Sequence, residues 1–309
     1  HEFLTQQEIE TFWETLSFQW GYRAEGNDIQ ALLDKSLEYN NDELFWTSFV
    51  KIQPELSPLQ SLELFEKALE QRIKPQSQFR AFNEEQFKKF REQLDLAQYK
   101  QRIAQMELYF LEAHAIKNGT CFYDLITEDS GVYAHFIDVL YMHEGGVEPN
   151  RNEDEISKIS YLFSALKFCP GARNGTVDEN VLYRWVDQFK ELLAAQQQSS
   201  LVNPLLGRLL AHSPIGDDGY EPHEAVRSLI EEIDHDDLLQ SFQIERMNMR
   251  GFYTITGGKG EKMLAKQFQR NAEELNLDYP RTASIYFSLA KHYDSSAADR
   301  RVEAESIIY

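Results

Sequence analysis

Apolar residues recur along most of the chain at spacings of three and four, which is the pattern of amphipathic α-helices. The first such stripe holds Ile9, Phe12, Trp13 and Leu16, and similar stripes follow towards the C-terminal end. Residues 251–256 (GFYTIT) depart from this pattern and indicate a short strand or hairpin arm. The chain is therefore predicted to be all-α, with room for one small β-hairpin near 251–256.

Short breaks at glycine, asparagine and proline separate about a dozen predicted helices. Breaks of this length favour antiparallel neighbours. No fixed period repeats along the chain, so no named repeat family is indicated. We expect an irregular superhelix of stacked antiparallel helices, solenoid-like in form, with a bundle carrying a helical appendage as the alternative.

Residues 83–117 contain no proline or glycine and keep helical spacing through most of their length. They predict one long spine helix, about 50 Å long at 1.5 Å per residue, which ends at Asn118-Gly119. We therefore expect an N-terminal helical subdomain at 1–118 and a C-terminal one at 119–309. The Gln/Ser tract at 196–200 predicts a soft seam within the second subdomain.

Short motifs predict local structure in the second half of the chain. Asn174-Gly175 is typical of a turn. Thr176 followed by Glu179 matches a capping box and predicts a helix start there. The acidic pairs Glu231-Glu232 and Asp236-Asp237 are expected to form a solvated face.

Acidic residues outnumber basic ones by 51 to 31, which gives a net charge of −20. A chain so negative repels nucleic acid and anionic membranes, so no direct binding to either is expected. The charge favours solubility, and an acidic DNA-mimicking surface is the alternative. Mimicry needs carboxylates in a phosphate-like row, whereas acids and lysines interleave here, as in Glu84-Glu85 and Lys88-Lys89.

The cysteines and the apolar runs bear on the cellular compartment. Cys121 and Cys169 are far apart in apolar settings, which predicts buried, reduced thiols in a cytoplasmic protein. No apolar run approaches the ~20 residues that span a bilayer, and the first residues lack a signal-peptide pattern. The start at His1-Glu2-Phe3 is typical of a tag or cloning remnant, which suggests part of a longer protein.

The stretch from Asn248 to Glu261 interrupts the helical pattern with Gly257, Gly258 and Gly260. Glycines before a helix can present backbone N–H groups to an anion. The Walker spacing is not met, because Tyr253 stands at its first glycine and Gly260 follows Lys259. The dinucleotide pattern also fails, since no strand–helix–strand context surrounds it. A tight, flexible connector at a helix start is the prediction.

Basic and aromatic residues surround these glycines. Arg250 and Lys259 are cationic in a negative chain, and Phe252 and Tyr253 lie between them. Arg and Tyr are enriched at binding hot spots. We therefore predict that Arg250, Phe252, Tyr253 and Lys259 contact a partner protein.

A second cluster lies between His212 and His223. Two imidazoles with the carboxylates of Asp217 and Asp218 could form a divalent-metal or acid–base site. The His-x3-His spacing and the order of a calcium loop are both missing, and Asp-Asp-Gly is ordinary turn chemistry. His212, Asp217, Asp218 and His223 are the catalytic candidates, and no metal site or cofactor is predicted.

The tail from Gly207 to Asp299 resembles a helical segment of large bacterial proteins of uncharacterised function. The residues that carry this resemblance cover under a third of the chain and are Gly207, Leu209-Leu210, Asp218-Gly219, Pro222, Asn248, Arg250-Gly251, Gly257-Gly258, Glu261, Leu264-Ala265 and Pro280-Arg281. The resemblance implies a place within a larger bacterial protein. It brings no activity, so no catalytic residue is transferred.

Taken together, the patterns predict a non-catalytic helical module that binds a partner protein, with an enzymatic role left open. A metal-assisted hydrolase using the His212–His223 loop is one alternative, and an acidic DNA mimic that binds a basic protein is another. The oligomeric state is left open.

Overall fold

The computed structural model describes residues 27–144, 153–249 and 258–306. In these residues it holds fourteen α-helices and one two-stranded sheet, which confirms the all-α prediction with a small hairpin. Two compact units divide the chain, His1–Leu125 and Ile126–Tyr309. The predicted subdomains at 1–118 and 119–309, like the superhelical stack, stay predictions. No helix in the described ranges is long and apolar enough to span a membrane.

The first unit is built from helices whose aromatic side chains share one core. Its helices are α1 (Asn27–Glu38), α2 (Asp42–Ile52), α3 (Pro58–Glu70), α4 (Arg80–Gln93) and α5 (Leu96–Phe110), and α6 (Cys121–Glu128) begins in this unit. Trp46, Phe49 and Phe110 surround Phe65, with ring centroids 5.0 to 5.8 Å from it. Edge-to-face packing at these distances adds to the burial of each ring.

The predicted spine helix over 83–117 is instead two helices, α4 and α5. Leu94 is extended (φ −103°, ψ 152°), and the Asp95 side chain accepts a hydrogen bond from the Ala97 N–H at 3.0 Å. An aspartate that caps a new helix competes with continuation of the old one. The two helices are joined by an ion pair of 2.5 Å between Arg91 and Glu107. A capping side chain therefore broke a helix that contains no proline or glycine.

The second unit contains the remaining elements. They are α7 (Gly131–Leu140), α8 (Glu153–Ala165), β1 (Ala172–Arg173), β2 (Thr176–Val177), α9 (Glu179–Ala195), α10 (Val202–Leu210), α11 (Glu224–Ile233), α12 (Asp236–Asn248), α13 (Lys259–Leu275) and α14 (Pro280–Ser306). Tyr133 and Trp185 are fully buried, with Phe163 stacked on the Tyr133 ring at 5.6 Å. The Trp185 indole donates to the Ile126 carbonyl at 2.9 Å.

The strands β1 and β2 form an antiparallel hairpin, paired Ala172 with Val177 and Arg173 with Thr176. The predicted turn joins them, with Asn174 at φ 51° and Gly175 at φ 86°. Positive φ at both central residues matches the twist of the strands, which is why Asn-Gly favours hairpins. The hairpin predicted near 251–256 lies outside the described residues.

Helix α9 does not begin with the predicted capping box. Thr176 belongs to β2, and Asp178 caps the helix by accepting from the Val181 N–H at 3.0 Å. The predicted soft seam at 196–200 stays a prediction. Within this tract Gln198 is buried, and its side-chain amide donates a hydrogen bond to the Tyr141 carbonyl at 3.0 Å. This hydrogen bond links the tract to the residue that follows α7 and gives the buried side-chain N–H an acceptor.

Helices α13 and α14 form an antiparallel pair at the C-terminal end of the described chain. Phe268 packs on Tyr286 and Tyr293, with ring centroids 5.8 and 5.6 Å away. Gly258, at φ 83°, precedes α13, and a Cβ there would lie 2.3 Å from the Ala297 carbonyl oxygen. Gly258 is therefore required, because any other residue would be strained at this backbone angle and its Cβ would clash with α14.

Glu231 holds the start of α14. It was expected on a solvated face, but its carboxylate accepts from the N–H groups of Arg281 and Thr282 at 2.9 and 2.8 Å. The Thr282 hydroxyl adds a third hydrogen bond at 3.0 Å. A carboxylate at a helix N-terminus satisfies its free N–H groups and favours the helix dipole. Glu231 therefore fixes α14 relative to α11.

Candidate functional site

A surface groove of about 460 Å³ lies between α13 and α14. Its walls are mostly cationic and its floor is apolar. The residues that line it are Lys262, Ala265, Lys266, Gln269, Arg270, Phe287, Ala290, Lys291 and Asp294. In a chain with a net charge of −20, this concentration of positive charge distinguishes the groove.

Helical spacing places the cations on one stripe of α13. Lys259, Lys262, Lys266 and Arg270 follow one another at intervals of three, four and four residues. At 1.5 Å per residue, the stripe from Lys262 to Arg270 extends about 12 Å along the helix. The helix turns its other side to α14, where Ala265, Phe268 and Ala272 are buried. Packing of that apolar face therefore leaves the basic stripe at the edge of the groove.

Charge pairing divides the groove into two parts. At one end, the Lys262 ammonium lies 2.5 Å from an Asp294 carboxylate oxygen, with both side chains more than half exposed. Lys266, Arg270 and Lys291 are exposed and form no ion pair with any residue that the structure describes. Three positive charges, none of them paired with a described residue, thus face solvent around one depression. Such a cluster attracts carboxylates or phosphates.

The floor of the groove is apolar. Ala265 and Ala290 are each 5% exposed, and Phe287 lies between the buried and exposed classes. The small side chains leave the aromatic ring accessible from the groove. A partly exposed ring among cations favours a ligand that has apolar as well as acidic groups.

The predicted contact residues are only partly described. Lys259 is exposed at the first residue of α13 and begins the basic stripe. Arg250, Phe252 and Tyr253 lie outside the described residues. Lys262, Lys266 and Arg270 were missed, although their spacing is visible in the sequence. Lys291 and Phe287 carry no such signal, because their place in the groove depends on how α14 packs.

The four catalytic candidates are engaged in separate local contacts or exposed. His212 lies 2.9 Å from a Glu245 carboxylate oxygen, and the His223 ring accepts from the Ala225 N–H at 3.3 Å as a helix cap. Asp218 pairs with Arg227 at 2.6 Å, and Asp217 is exposed. Within the described part of the chain, no group of three or more His, Cys, Asp and Glu side chains could hold a metal ion.

Arg227 organises the loop that carries these candidates. Its side chain is fully buried, pairs with Asp218, and stacks over the Tyr279 ring at 4.7 Å. Partial burial raises the pKa of Asp218, but hydrogen bonds donated by the Tyr220 backbone N–H and the Arg227 side chain bring this pKa below its ordinary value. A carboxylate held in this way stabilises the loop, which gives Asp218 a structural role.

His212 and Glu245 form a second structural pair. The hydrogen bond from His212 lowers the pKa of Glu245, against the opposing effect of burial. Both side chains are largely buried, at 7% and 14% exposed, and Arg208 lies 3.9 Å from the same carboxylate. The pair joins the loop after α10 to α12.

The cysteines are buried and free, as predicted. Burial raises the pKa of Cys121 and of Cys169 to about 12. The reactive thiolate is therefore scarce at neutral pH. Neither cysteine has the character of a nucleophile.

Comparison with known proteins gives no further assignment. The chain matches no protein-family model, no curated protein and no solved structure. The resemblance of the tail to large bacterial proteins stays a prediction. The groove between α13 and α14 is the candidate functional site.

Proposed function

We propose that this chain is a non-catalytic helical module that binds a partner protein through the face formed by α13 and α14. The observation that carries the proposal is the cluster of Lys266, Arg270 and Lys291, unpaired among the described residues, around the accessible Phe287 ring. Binding hot spots combine Arg or aromatic anchors with a surrounding rim. Lys259, at the start of the same stripe, extends this face towards the predicted contact residues.

A binding role agrees better with the described side chains than a hydrolytic one. Each of three candidate side chains forms a hydrogen bond that stabilises local structure, namely those of His212, Asp218 and His223. The metal-assisted hydrolase therefore draws no support from their arrangement. The DNA-mimic alternative stays a prediction. We also propose that the chain is part of a larger bacterial protein and that it is located in the cytoplasm.

Charge reversal in the groove tests the proposal. Lys266→Glu combined with Arg270→Glu should abolish capture of a partner that the wild-type chain retains from a bacterial lysate. The physical reason is that two attractive charges become repulsive at the centre of the contact. Captured proteins are quantified by mass spectrometry, and helical circular dichroism checks that the variant is folded.

The matched control changes the net charge equally elsewhere. Lys67 and Lys190 are exposed residues of α3 and α9, so Lys67→Glu with Lys190→Glu should leave capture unchanged. Equal capture by wild type and both double variants would overturn the groove as the binding face. Combining Arg250→Glu with Lys259→Glu tests the predicted contact residues in the same assay.

A further inference from the structure

We infer that the ligand of the groove is an acidic peptide segment with one apolar anchor side chain. The inference rests on the proposed function and specifies the chemistry of the partner. The carboxylates would pair with Lys266, Arg270 and Lys291, and the anchor would lie on Phe287 between the two helices. Each part of this assignment follows from a separate property of the groove.

The spacing of the cations matches a helical acidic segment. Lys266 and Arg270 are four residues apart on α13, a rise of about 6 Å. Two carboxylates one helical turn apart on a peptide have the same separation. The Arg270 guanidinium can bind one of them through two parallel hydrogen bonds. Lys291, on α14, offers a third positive charge from the other wall of the groove.

The apolar floor requires more than charge from its ligand. Ala265 and Ala290 are small and buried beside Phe287, so an aliphatic side chain can reach the ring. Covering the ring with an apolar group removes it from water and excludes solvent from the neighbouring ion pairs. An all-polar ligand would leave this ring uncovered.

Two features disfavour a nucleic acid or polyphosphate. Asp294 is part of the groove wall, where its pairing with Lys262 shortens the row of positive charge that a dense row of phosphates would need. The net charge of −20 opposes approach of any long polyanion. A peptide carries only a few carboxylates, so the rest of the acidic surface repels it less than it repels a long polyanion. The Lys262–Asp294 pair also marks the end of the groove where an added carboxylate gains least.

The inference is tested with synthetic peptides and the whole chain. The probe is a fluorescein-labelled alanine–glutamate helix with two glutamates one turn apart, a third on the neighbouring row and one leucine between them. In fluorescence anisotropy at low salt, the wild-type chain should bind it. Replacing the glutamates by glutamine should weaken binding at least about tenfold, because each loses a charge-assisted hydrogen bond. Added salt should weaken it as well.

The anchor is tested by a double-mutant cycle. Changing the peptide leucine to serine should weaken binding to the wild type. With Phe287→Ala, the leucine and serine peptides should bind almost equally, because the ring that distinguishes them has been removed. Lys266→Gln with Arg270→Gln should lose the preference for glutamate. All three substituted residues are at least partly exposed, and circular dichroism reports whether the variants remain helical.

The outcomes separate this inference from the proposed function. If the groove variants lose the captured partner but the wild type binds no acidic peptide, the inference fails and the proposed function stands. If a single-stranded oligonucleotide binds in a manner that Lys266→Glu with Arg270→Glu abolishes, and the peptide does not, both fail. Equal binding of the glutamate and glutamine peptides would also overturn the inference.

Discussion

At the scale of single residues, two glycines of the second unit share a left-handed backbone angle but differ in how closely other atoms approach them. Gly258 and Gly219 have nearly the same backbone angle, at φ 83° and 84°. A Cβ on Gly258 would lie 2.3 Å from the Ala297 carbonyl oxygen, whereas one on Gly219 would meet nothing within 4 Å. A substitution at Gly219 therefore tests backbone strain alone, whereas one at Gly258 tests backbone strain together with a steric clash.

Gly219→Ala should lower the free energy of unfolding by about 1 kcal/mol, which is the cost of a left-handed angle for alanine. Gly258→Ala should lower it by about 1–3 kcal/mol more, because the added methyl forces α13 away from α14. Urea unfolding followed by circular dichroism measures both. Equal losses would show that the contact with Ala297 does not constrain the helix pair.

Glu245 makes stability depend on pH. Its pKa is lowered by the hydrogen bond from His212, so the bound proton disfavours the folded state. This stabilisation is present above the unfolded-state pKa and is lost as the pH falls through the folded-state value. Glu245→Gln should therefore lower the free energy of unfolding by about 2 kcal/mol near neutral pH, and the difference should vanish in acid.

Urea unfolding of wild type and Glu245→Gln at several pH values measures this change. Asp187 is 73% exposed on α9, and its weak contact with Lys190 is 3.9 Å long. Asp187→Asn should therefore change stability little at any pH. A Glu245→Gln difference that persists unchanged in acid would contradict the assigned role of the His212–Glu245 pair.

At the scale of elements, capping side chains decided where helices begin and end. Asp95 separates α4 from α5, and Asp178 begins α9 two residues after the predicted cap. Glu231 caps α14 from a different helix, across 50 residues of sequence. A cap within the first turn is local and can be read from the sequence with care. A cap supplied by a distant helix cannot.

Glu231→Ala should lower the free energy of unfolding by about 1–2 kcal/mol, because it leaves the N–H groups of Arg281 and Thr282 without their acceptor. Glu231→Gln should restore part of the loss, since the amide oxygen accepts the same hydrogen bonds. Glu274 is exposed on α13, and Glu274→Ala is the control. If chemical denaturation gives equal values for both alanine variants, Glu231 is not the cap described here.

At the scale of the whole molecule, the distribution of charge determines the choice of ligand more than the net charge does. Acidic residues dominate the chain, yet only one acidic residue, the buried Glu261, lies between Lys259 and Ala272. The opposing charges of the molecule and the groove favour a ligand with a few carboxylates over a long polyanion. The same distribution makes the groove variants sensitive reporters, since reversing two charges removes most of its positive field.

The sequence alone determined the helical class, the turn at Asn174-Gly175 and the spacing of the α13 cations. Helical periodicity and turn preference depend on neighbouring residues, so they can be read along the chain. The tertiary structure decided the rest. Lys262 is neutralised by Asp294, 32 residues away, while Lys266 and Arg270 have no such partner among the described residues. Ion pairing and the apolar floor at Phe287 depend on the packing of α14 on α13, which no local pattern encodes.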